Sequence, residues 1–336
     1  MRSAVPSAIA KPRRVVYNRC VRLRIELKRF IFPILIAFCA VALTGASCGK
    51  DTANPTDPNG LVRAIDAAQG KPAVDAGPLN RTPIPGVDIS KLLDKEQTLF
   101  YELVDSMSSP CGKAHSLRTS VTTDKECRRA PFAVRTLAML IEYGADKDIV
   151  KDLYQKHYEK IDPVPLPVDE RMPHVGPPDA AVKVVEFFDY GCPHCKEYFP
   201  VIRDSVAAFP SDVVIYFKHY VLGKFVGSEL AASAAVAASK QGKFMEMHEL
   251  LFEKQSQAGN SRDKVFGYAT SLGLDMQRFA ADFDAAAGQL ADDHALGEAA
   301  GVESTPSIFI NGRLYPGPLM VEFMKLWIEE ELAVNR

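Results

Sequence analysis

The stretch VKVVEFFDYGCPHC, residues 182–195, combines two local patterns. Residues 182–190 are dense in β-branched and aromatic side chains, which is typical of a buried strand. A helix is predicted directly afterwards, from about residue 194 to 209. Cys192 and Cys195 therefore fall between a strand and a helix, with Cys192 at the helix N-terminus.

That position favours redox chemistry. The unpaired backbone N–H groups and the positive end of the helix dipole stabilise an anion, so the pKa of Cys192 is expected to fall. A thiolate at neutral pH is also a good leaving group, and His194 could add a positive charge or a hydrogen bond. A zinc site would need two further ligands. A structural disulfide over so short a ring would constrain the unfolded chain little.

The elements after this stretch are predicted from their local patterns. Residues 213–220 form a second strand, and the Ala-rich residues 228–300 form several helices. Residues 307–310 and 313–315 flank Asn311-Gly312, a strong signal for a type I′ hairpin turn. A closing helix is predicted over residues 319–332. The order is strand, helix, strand, helical insert, hairpin and helix.

Two motifs resemble one family. Residues 186–195 (EFFDYGCPHC) resemble the active-site strand and motif of the bacterial periplasmic disulfide oxidoreductases, the DsbA family. Residues 301–312 (GVESTPSIFING) resemble that family's cis-proline loop and hairpin. The resemblance covers residues 180–332. It implies an α/β thioredoxin fold with a helical insert at about residues 226–300.

The resemblance also implies roles for individual residues. Cys192 would be the exposed nucleophilic cysteine and Cys195 its buried partner. Pro306 would be the cis-proline facing them, and Thr305 would offer its backbone to an extended client peptide. Glu186 matches a buried acid that can help proton transfer to Cys195. The alternative for Glu186 is a strand-end carboxylate in solvent.

The implied activity is oxidation of cysteine pairs in exported client proteins, with reoxidation by a membrane redox partner. Pro193 and His194 between the cysteines point to the oxidases of the family. Thr305 before the proline also resembles disulfide isomerases and thioredoxin-like reductases, so a reductase or isomerase remains an alternative. No cofactor and no metal are expected.

The N-terminal residues 1–48 predict an export signal. Nine Lys or Arg occur among the first 29 residues, an apolar run follows at residues 30–43, and small residues lead to Cys48. That order matches an export signal. Cys48 sits where the acylated cysteine of a bacterial lipoprotein would, which predicts a cell-envelope protein with a possible membrane tether. Ordinary cleavage and an uncleaved anchor are the alternatives.

Two proline-rich segments predict the domain limits. Residues 49–89 are a Pro/Ala-rich linker, expected to be disordered or extended. Residues 162–178 are a hinge, which leaves a small helical module at residues 90–161 and a thioredoxin-like domain at residues 179–336. The net charge of −2 gives no electrostatic case for nucleic-acid binding.

Three helices are predicted in the module. Ser90 is expected to cap the first, with Leu93, Phe100, Val104 and Met107 on one side. Residues 131–143 form the second, ended by Gly144. Asp146 caps the third, which runs to about Tyr158. A partner-binding lipoprotein that acts through this module is the alternative of a different class.

Cys111 and Cys127 lie between the first two predicted helices. With Cys48 and the signal set aside, four cysteines remain, an even number typical of exported proteins. A structural disulfide between Cys111 and Cys127 would contribute about 3 kcal/mol by the chain-entropy account. The alternatives are a second redox pair, and a metal site that includes His115 but has no evident fourth ligand.

Overall fold

A computed structural model describes residues 78–159, 162–256 and 259–335, which all lie in one compact unit, Asp75–Arg336. The predicted signal at residues 1–48, Cys48 and the linker up to residue 77 lie outside the described residues. Within the described ranges, none of the helices has the length and apolar character that a membrane crossing requires.

A five-stranded mixed sheet forms the centre of the unit, with the strand order β1-β3-β2-β4-β5. Strands β2 and β3 are parallel, and the other neighbours are antiparallel. The strands are β1 (His174–Val175), β2 (Val182–Phe188), β3 (Val213–His219), β4 (Ser307–Ile310) and β5 (Arg313–Leu314). This sheet and its helices confirm the predicted α/β thioredoxin fold.

The central position of β2 and β3 explains their composition. Every residue of β3 is buried, and in β2 only Lys183 is exposed. Strands covered by other structure on both faces consist of nearly continuous apolar residues. The hairpin turn has positive φ at Asn311 (49°) and Gly312 (77°), as the predicted type I′ turn requires.

Helices cover the sheet and form the predicted insert. In chain order they are α1 (Asp94–Ser106), α2 (Leu117–Thr122), α3 (Ala130–Glu142), α4 (Lys147–Tyr158), α5 (Pro193–Ala207), α6 (Ser228–Ser239), α7 (Phe244–Glu253), α8 (Arg262–Ser271), α9 (Met276–Asp284), α10 (Ala287–Ala299) and α11 (Val321–Asn335). The insert comprises α6 to α10. The closing helix α11 packs against both α5 and α3, so it joins the N-terminal helices to the helix that begins at Pro193.

The first helix begins later than the sequence predicted. Its N-cap is Leu93, whose N–H donates to the Glu96 carboxylate at 2.8 Å. Ser90 is not the cap, because its N–H donates to Asp88 in the preceding turn. Leu93 is therefore 59% exposed and does not belong to the apolar side of the helix. The third predicted cap is present, since Asp146 accepts the N–H groups of residues 148 and 149.

The short helix α2 was not predicted. Its six residues are too few for an apolar period to be recognised. Ser116 caps it by accepting the Thr119 N–H at 3.3 Å. The helix lies inside the loop that the Cys111–Cys127 disulfide closes, with a sequence separation of 16.

Parts of both proline-rich segments pack onto the unit. Ile84, in the predicted linker, is buried, and the Arg118 guanidinium donates to the carbonyls of Thr82 (3.0 Å) and Asn80 (2.7 Å). The predicted linker therefore packs against the unit from residue 78 onward, without forming a helix or strand. In the predicted hinge, β1 pairs with β3 and Val164 donates to the Gly312 carbonyl. The domain limits remain a prediction.

A buried ionic cluster joins α3 to α11. One guanidinium nitrogen of Arg129, at the start of α3, contacts Glu330 (2.6 Å) and Glu331 (2.9 Å), whose side chains are almost fully buried. His157 and Tyr158 of α4 also contact Glu330, at 3.4 and 3.0 Å. Buried carboxylates need such partners, because an uncompensated charge in the interior is costly.

We expect Arg129→Ala to destabilise the protein by about 3–5 kcal/mol, because it leaves two buried carboxylates without their main cation. The matched control is Arg135→Ala. Arg135 pairs with Glu329 at 3.4 Å with 43% and 38% of the two side chains exposed, so its loss should cost less, at most about 1 kcal/mol. Urea unfolding of the two variants checks the difference. Equal losses would show that burial of the Arg129 pair has no energetic consequence.

Candidate active site

The two cysteines lie at the start of α5 as free thiols. Cys192 is the N-cap, Pro193 occupies the first helical turn, and Cys195 follows in the same turn. Proline suits this position because it has no N–H to leave unpaired. Cys195 is fully buried, as the family resemblance implied. Cys192 is only 4% exposed, so the expectation of an exposed cysteine is wrong.

The loop before β4 accounts for the cover over Cys192. The peptide bond between Thr305 and Pro306 is cis. The Cys192 thiol donates to the Thr305 carbonyl at 3.3 Å, so this loop lies directly against the sulfur. Thr305 is itself buried. The structure thus brings together the two motifs, which are separated by more than a hundred residues in the sequence.

The two sulfurs have different surroundings, and their pKa values are shifted in opposite directions as a result. The pKa of Cys192 falls from 9.0 to about 5, first because the Cys195 side chain hydrogen-bonds to its sulfur, and also because the backbone N–H groups of Cys195 and His194 do so. Burial opposes this shift. Burial raises the pKa of the Cys195 thiol well above its usual range. At neutral pH the pair therefore holds one thiolate and one thiol.

His194 acts through its backbone in this geometry. Its N–H stabilises the Cys192 thiolate, but its imidazole is 69% exposed and its Nδ1 lies 3.5 Å from the Glu197 carboxylate. The sequence predicted a charge or hydrogen bond from the His194 side chain, but this side chain is not among the groups that hydrogen-bond to Cys192. The Cys195 side chain and the first N–H groups of the helix supply the stabilisation instead.

Glu186 is fully buried on β2, which rules out the alternative of a solvent-exposed carboxylate. Neither oxygen has a hydrogen-bond partner among the described residues. Burial raises its pKa to about 8, so the carboxyl is mainly protonated at neutral pH. It lines a cleft of about 530 Å³ whose walls include Phe199 and Phe217.

Two residues that contact the motif were not singled out from the sequence. Asp189 lies inside the motif and is buried, and its side chain accepts hydrogen bonds from Gly191 of the motif and from two other segments. Gln255, just after α7, donates to the carbonyls of Tyr190 (2.6 Å) and Cys192 (2.9 Å). Gln255 carries no local sequence signal, whereas an acid three residues before a Cys-x-x-Cys motif could have been noticed.

Cys111 and Cys127 form a disulfide in the N-terminal helical region. Their sulfurs are therefore not free thiolates for a metal. His115 instead contacts Asp124 at 3.3 Å and the Ser120 hydroxyl at 3.2 Å. Among the described residues, no group of three or more His, Cys, Asp or Glu side chains is arranged to hold a metal ion.

We expect the reduced protein to show a thiolate transition with a midpoint near pH 5, because Cys192 carries the lowered pKa. Absorbance of the thiolate at 240 nm, followed from pH 3 to 9, measures it. The oxidised protein is the control and should show no transition. Cys195→Ala should raise the midpoint, since it removes the largest stabilising contact. A midpoint near 9 in the parent would contradict the geometry.

Residues 169–330 match a family of thioredoxin domains. One similar solved structure is a thioredoxin-like oxidoreductase from Silicibacter pomeroyi, with 30% identity over 49% of this chain and 91% of that chain and a TM-score of 0.42. Another is oxidised BdbD from Bacillus subtilis, with 29% identity over 48% of this chain and 94% of that chain and a TM-score of 0.43.

A curated relative is the Na⁺/H⁺ antiporter NhaA 3 of Salinispora tropica, 33% identical over 174 residues, or 51% of this chain. The match spans only 26% of that antiporter. The chain thus corresponds to about a quarter of the length of this relative. Its transport activity belongs to the whole antiporter, and we do not extend it to this protein.

Residues 169–330 are thus similar to the thioredoxin family. The sheet, the helical insert and the free Cys192–Cys195 pair at the start of α5 agree with the resemblance to the DsbA family.

Proposed function

We propose that the protein oxidises cysteine pairs in exported client proteins by donating its Cys192–Cys195 disulfide. The observation that carries this proposal is the Cys192 sulfur at the start of α5, where the Cys195 side chain and the N–H groups of Cys195 and His194 hydrogen-bond to it. Each contact that favours the thiolate stabilises the reduced protein relative to the disulfide. A stabilised reduced form makes the disulfide a stronger oxidant.

The reaction begins when a client thiolate attacks the Cys192 sulfur. The Cys192–Cys195 bond breaks, a mixed disulfide forms on Cys192, and Cys195 leaves with the electron pair. Since the pKa of Cys195 is strongly raised, that sulfur must take up a proton. Glu186 is the proposed donor, because its carboxyl is buried on the strand before the motif and holds a proton near neutral pH.

A second client thiolate then attacks the client sulfur of the mixed disulfide. Cys192 leaves as the thiolate that its surroundings favour, which makes this step easy. The client has lost two electrons and two protons, and the enzyme is a dithiol. Thr305 and Pro306 are proposed to bind the client backbone beside Cys192, since the cis-proline loop already contacts that sulfur.

A membrane redox partner is proposed to accept the two electrons and restore the disulfide. The setting we propose is the bacterial periplasm or cell envelope, where disulfides persist. The basic and apolar N-terminal sequence and Cys48 support export and a possible membrane tether. The Cys111–Cys127 disulfide agrees with an oxidising compartment.

The reduction potential of the protein in glutathione buffers tests the direction of the reaction. We expect a value well above the glutathione couple, as a disulfide donor requires. A value at or below that couple, toward about −270 mV as for thioredoxin, would reject the oxidase and favour a reductase or isomerase. Thr305 before the proline is compatible with that outcome.

A further inference from the structure

Asp189 connects the redox motif to the helical insert. Its side chain is buried. One carboxylate oxygen accepts the Gly191 N–H at 2.7 Å and the Ser228 hydroxyl at 2.5 Å, and the other accepts the Leu222 N–H at 2.9 Å. Three separate segments, the motif, the loop after β3 and the first turn of α6, therefore meet at one carboxylate.

The backbone of Asp189 contacts both cysteines. Its N–H points at the Cys195 sulfur at 3.5 Å, and its carbonyl accepts the Cys192 N–H at 3.0 Å. Side chain and main chain together fix the four residues that lead into α5. Asp189 is thus bound to the reacting pair and to the insert at the same time.

Gly191 shows how closely the motif is pressed against the insert. A Cβ at this position would lie 2.3 Å from both Phe225 Cβ and Ser228 Oγ. Such an approach is possible only because glycine has no side chain. Gln255 holds the same loop from the end of α7 through the Tyr190 and Cys192 carbonyls. The loop is therefore fixed on two sides by residues of the insert.

We infer that Asp189 is a positioning residue, whose carboxylate holds the Gly191–Cys192 backbone so that the first N–H groups of α5 point at the Cys192 sulfur. This inference rests on the proposed redox function of the pair. Hydrogen bonds weaken steeply as their angle opens, so stabilisation of a thiolate depends on donors that are fixed in advance. Loss of the Asp189 carboxylate should therefore lower the thiolate-to-thiol ratio of Cys192, although no group that contacts the Cys192 sulfur is removed.

Three variants of the full chain remove different parts of the Asp189 hydrogen-bond network. Asp189→Ala removes all three side-chain contacts. Asp189→Asn keeps one acceptor oxygen, but its amide nitrogen cannot accept from an N–H. Ser228→Ala removes one donor and keeps the carboxylate. The measurements are the Cys192 titration at 240 nm and the equilibrium with glutathione.

We expect Asp189→Ala to lower the thiolate-to-thiol ratio of Cys192 about tenfold at a given pH, which is a rise of about one in its pKa. The equilibrium with glutathione should move about tenfold toward the enzyme disulfide, or about 30 mV toward a more reducing protein. Asp189→Asn should fall between this variant and the parent. Ser228→Ala should change both quantities in the same direction by up to about threefold.

Asp275→Ala is the matched control. Asp275 also accepts two backbone N–H groups, those of Gln277 and Arg278, at the start of α9 in the same insert. Its variant should unfold at a lower temperature than the parent and keep the parental thiol pKa and glutathione equilibrium. Equal redox shifts in Asp275→Ala and the Asp189 variants would mean that general destabilisation is the cause, and would overturn the inference.

The inference would also be overturned if Asp189→Asn and Ser228→Ala folded and kept the parental Cys192 pKa and glutathione equilibrium. These two variants decide the role of Asp189 if Asp189→Ala does not fold. The outcome is separate from that of the proposed function. A parental potential below the glutathione couple would reject the oxidase, but the differences between variants and parent would still report the role of Asp189.

Discussion

Neither Cys192→Ser nor Cys195→Ser should oxidise a dithiol client above the uncatalysed rate, because neither can form the Cys192–Cys195 disulfide. Cys195→Ser should still form a mixed disulfide when its Cys192 thiolate attacks the disulfide of an oxidised client. The reason is the different surroundings of the two sulfurs. Cys192 lies at the helix start against the Thr305 carbonyl and carries the lowered pKa. Cys195 is fully buried and its pKa is raised. The thiolate is the form that attacks and leaves in thiol-disulfide exchange.

The measurement is the rate of oxidation of a reduced peptide that contains two cysteines. The disulfide form of the parent should oxidise this peptide, and the two variants should not. Mass spectrometry of Cys195→Ser, mixed with an oxidised client, should show a covalent adduct. Cys192→Ser should show none, because the remaining thiol is buried. The Cys111–Cys127 pair provides an internal control, since its disulfide is present in all three proteins.

If Cys192→Ser oxidised the client at the parental rate, the activity would belong to another disulfide, with Cys111–Cys127 as the candidate. An adduct on Cys192→Ser that is absent from Cys195→Ser would reverse the assigned roles of the two cysteines. Either result would contradict the acidity order that the structure gives.

The elements that were predicted correctly from the sequence are those with a strong local signal. The apolar run of β2, the Asn311-Gly312 turn and the Asp146 cap each specify their conformation within a few residues. The two residues of β1 carry no such signal. They pair because β3 presents an open edge to them, which is decided by the rest of the fold.

The site was predictable only in part for the same reason. The motif indicates two cysteines at a helix start, but it does not indicate how deeply Cys192 lies or that His194 contributes through its N–H. The cover over Cys192 depends on the Thr305 loop, which is remote in the sequence. The partners of Asp189 come from residues 33 and 39 positions away, Leu222 and Ser228. No local sequence pattern indicates such a contact.

Glu186→Gln should make the oxidised protein more stable than the parent at alkaline pH and change little near pH 4.5. The pKa of Glu186 is raised from 4.5 to about 8 in the folded protein, because the carboxyl is fully buried. Below pH 4.5 it is protonated in both the folded and unfolded states, and no penalty arises. Between pH 4.5 and 8 the unfolded state ionises first, so folding loses free energy as pH rises.

Above pH 8 the charge is present in both states and the full penalty is reached. At about 1.4 kcal/mol per pH unit, it amounts to roughly 5 kcal/mol. Glutamine is neutral at every pH, so the variant escapes this penalty. Urea unfolding of oxidised parent and variant at pH 4.5, 7 and 9 should give a difference that grows with pH. The disulfide form is used because its cysteines do not titrate.

Glu170→Gln is the matched control, because Glu170 is exposed and its change should give a small difference at each pH. A difference between Glu186→Gln and the parent that stays constant from pH 4.5 to 9 would mean that Glu186 ionises alike in both states, and its proposed role as a proton donor would be lost with it. A difference that grows would show a carboxyl kept neutral at a stability cost. Such a cost is expected where a protein holds a proton for a reaction, since burial without a partner stabilises nothing by itself.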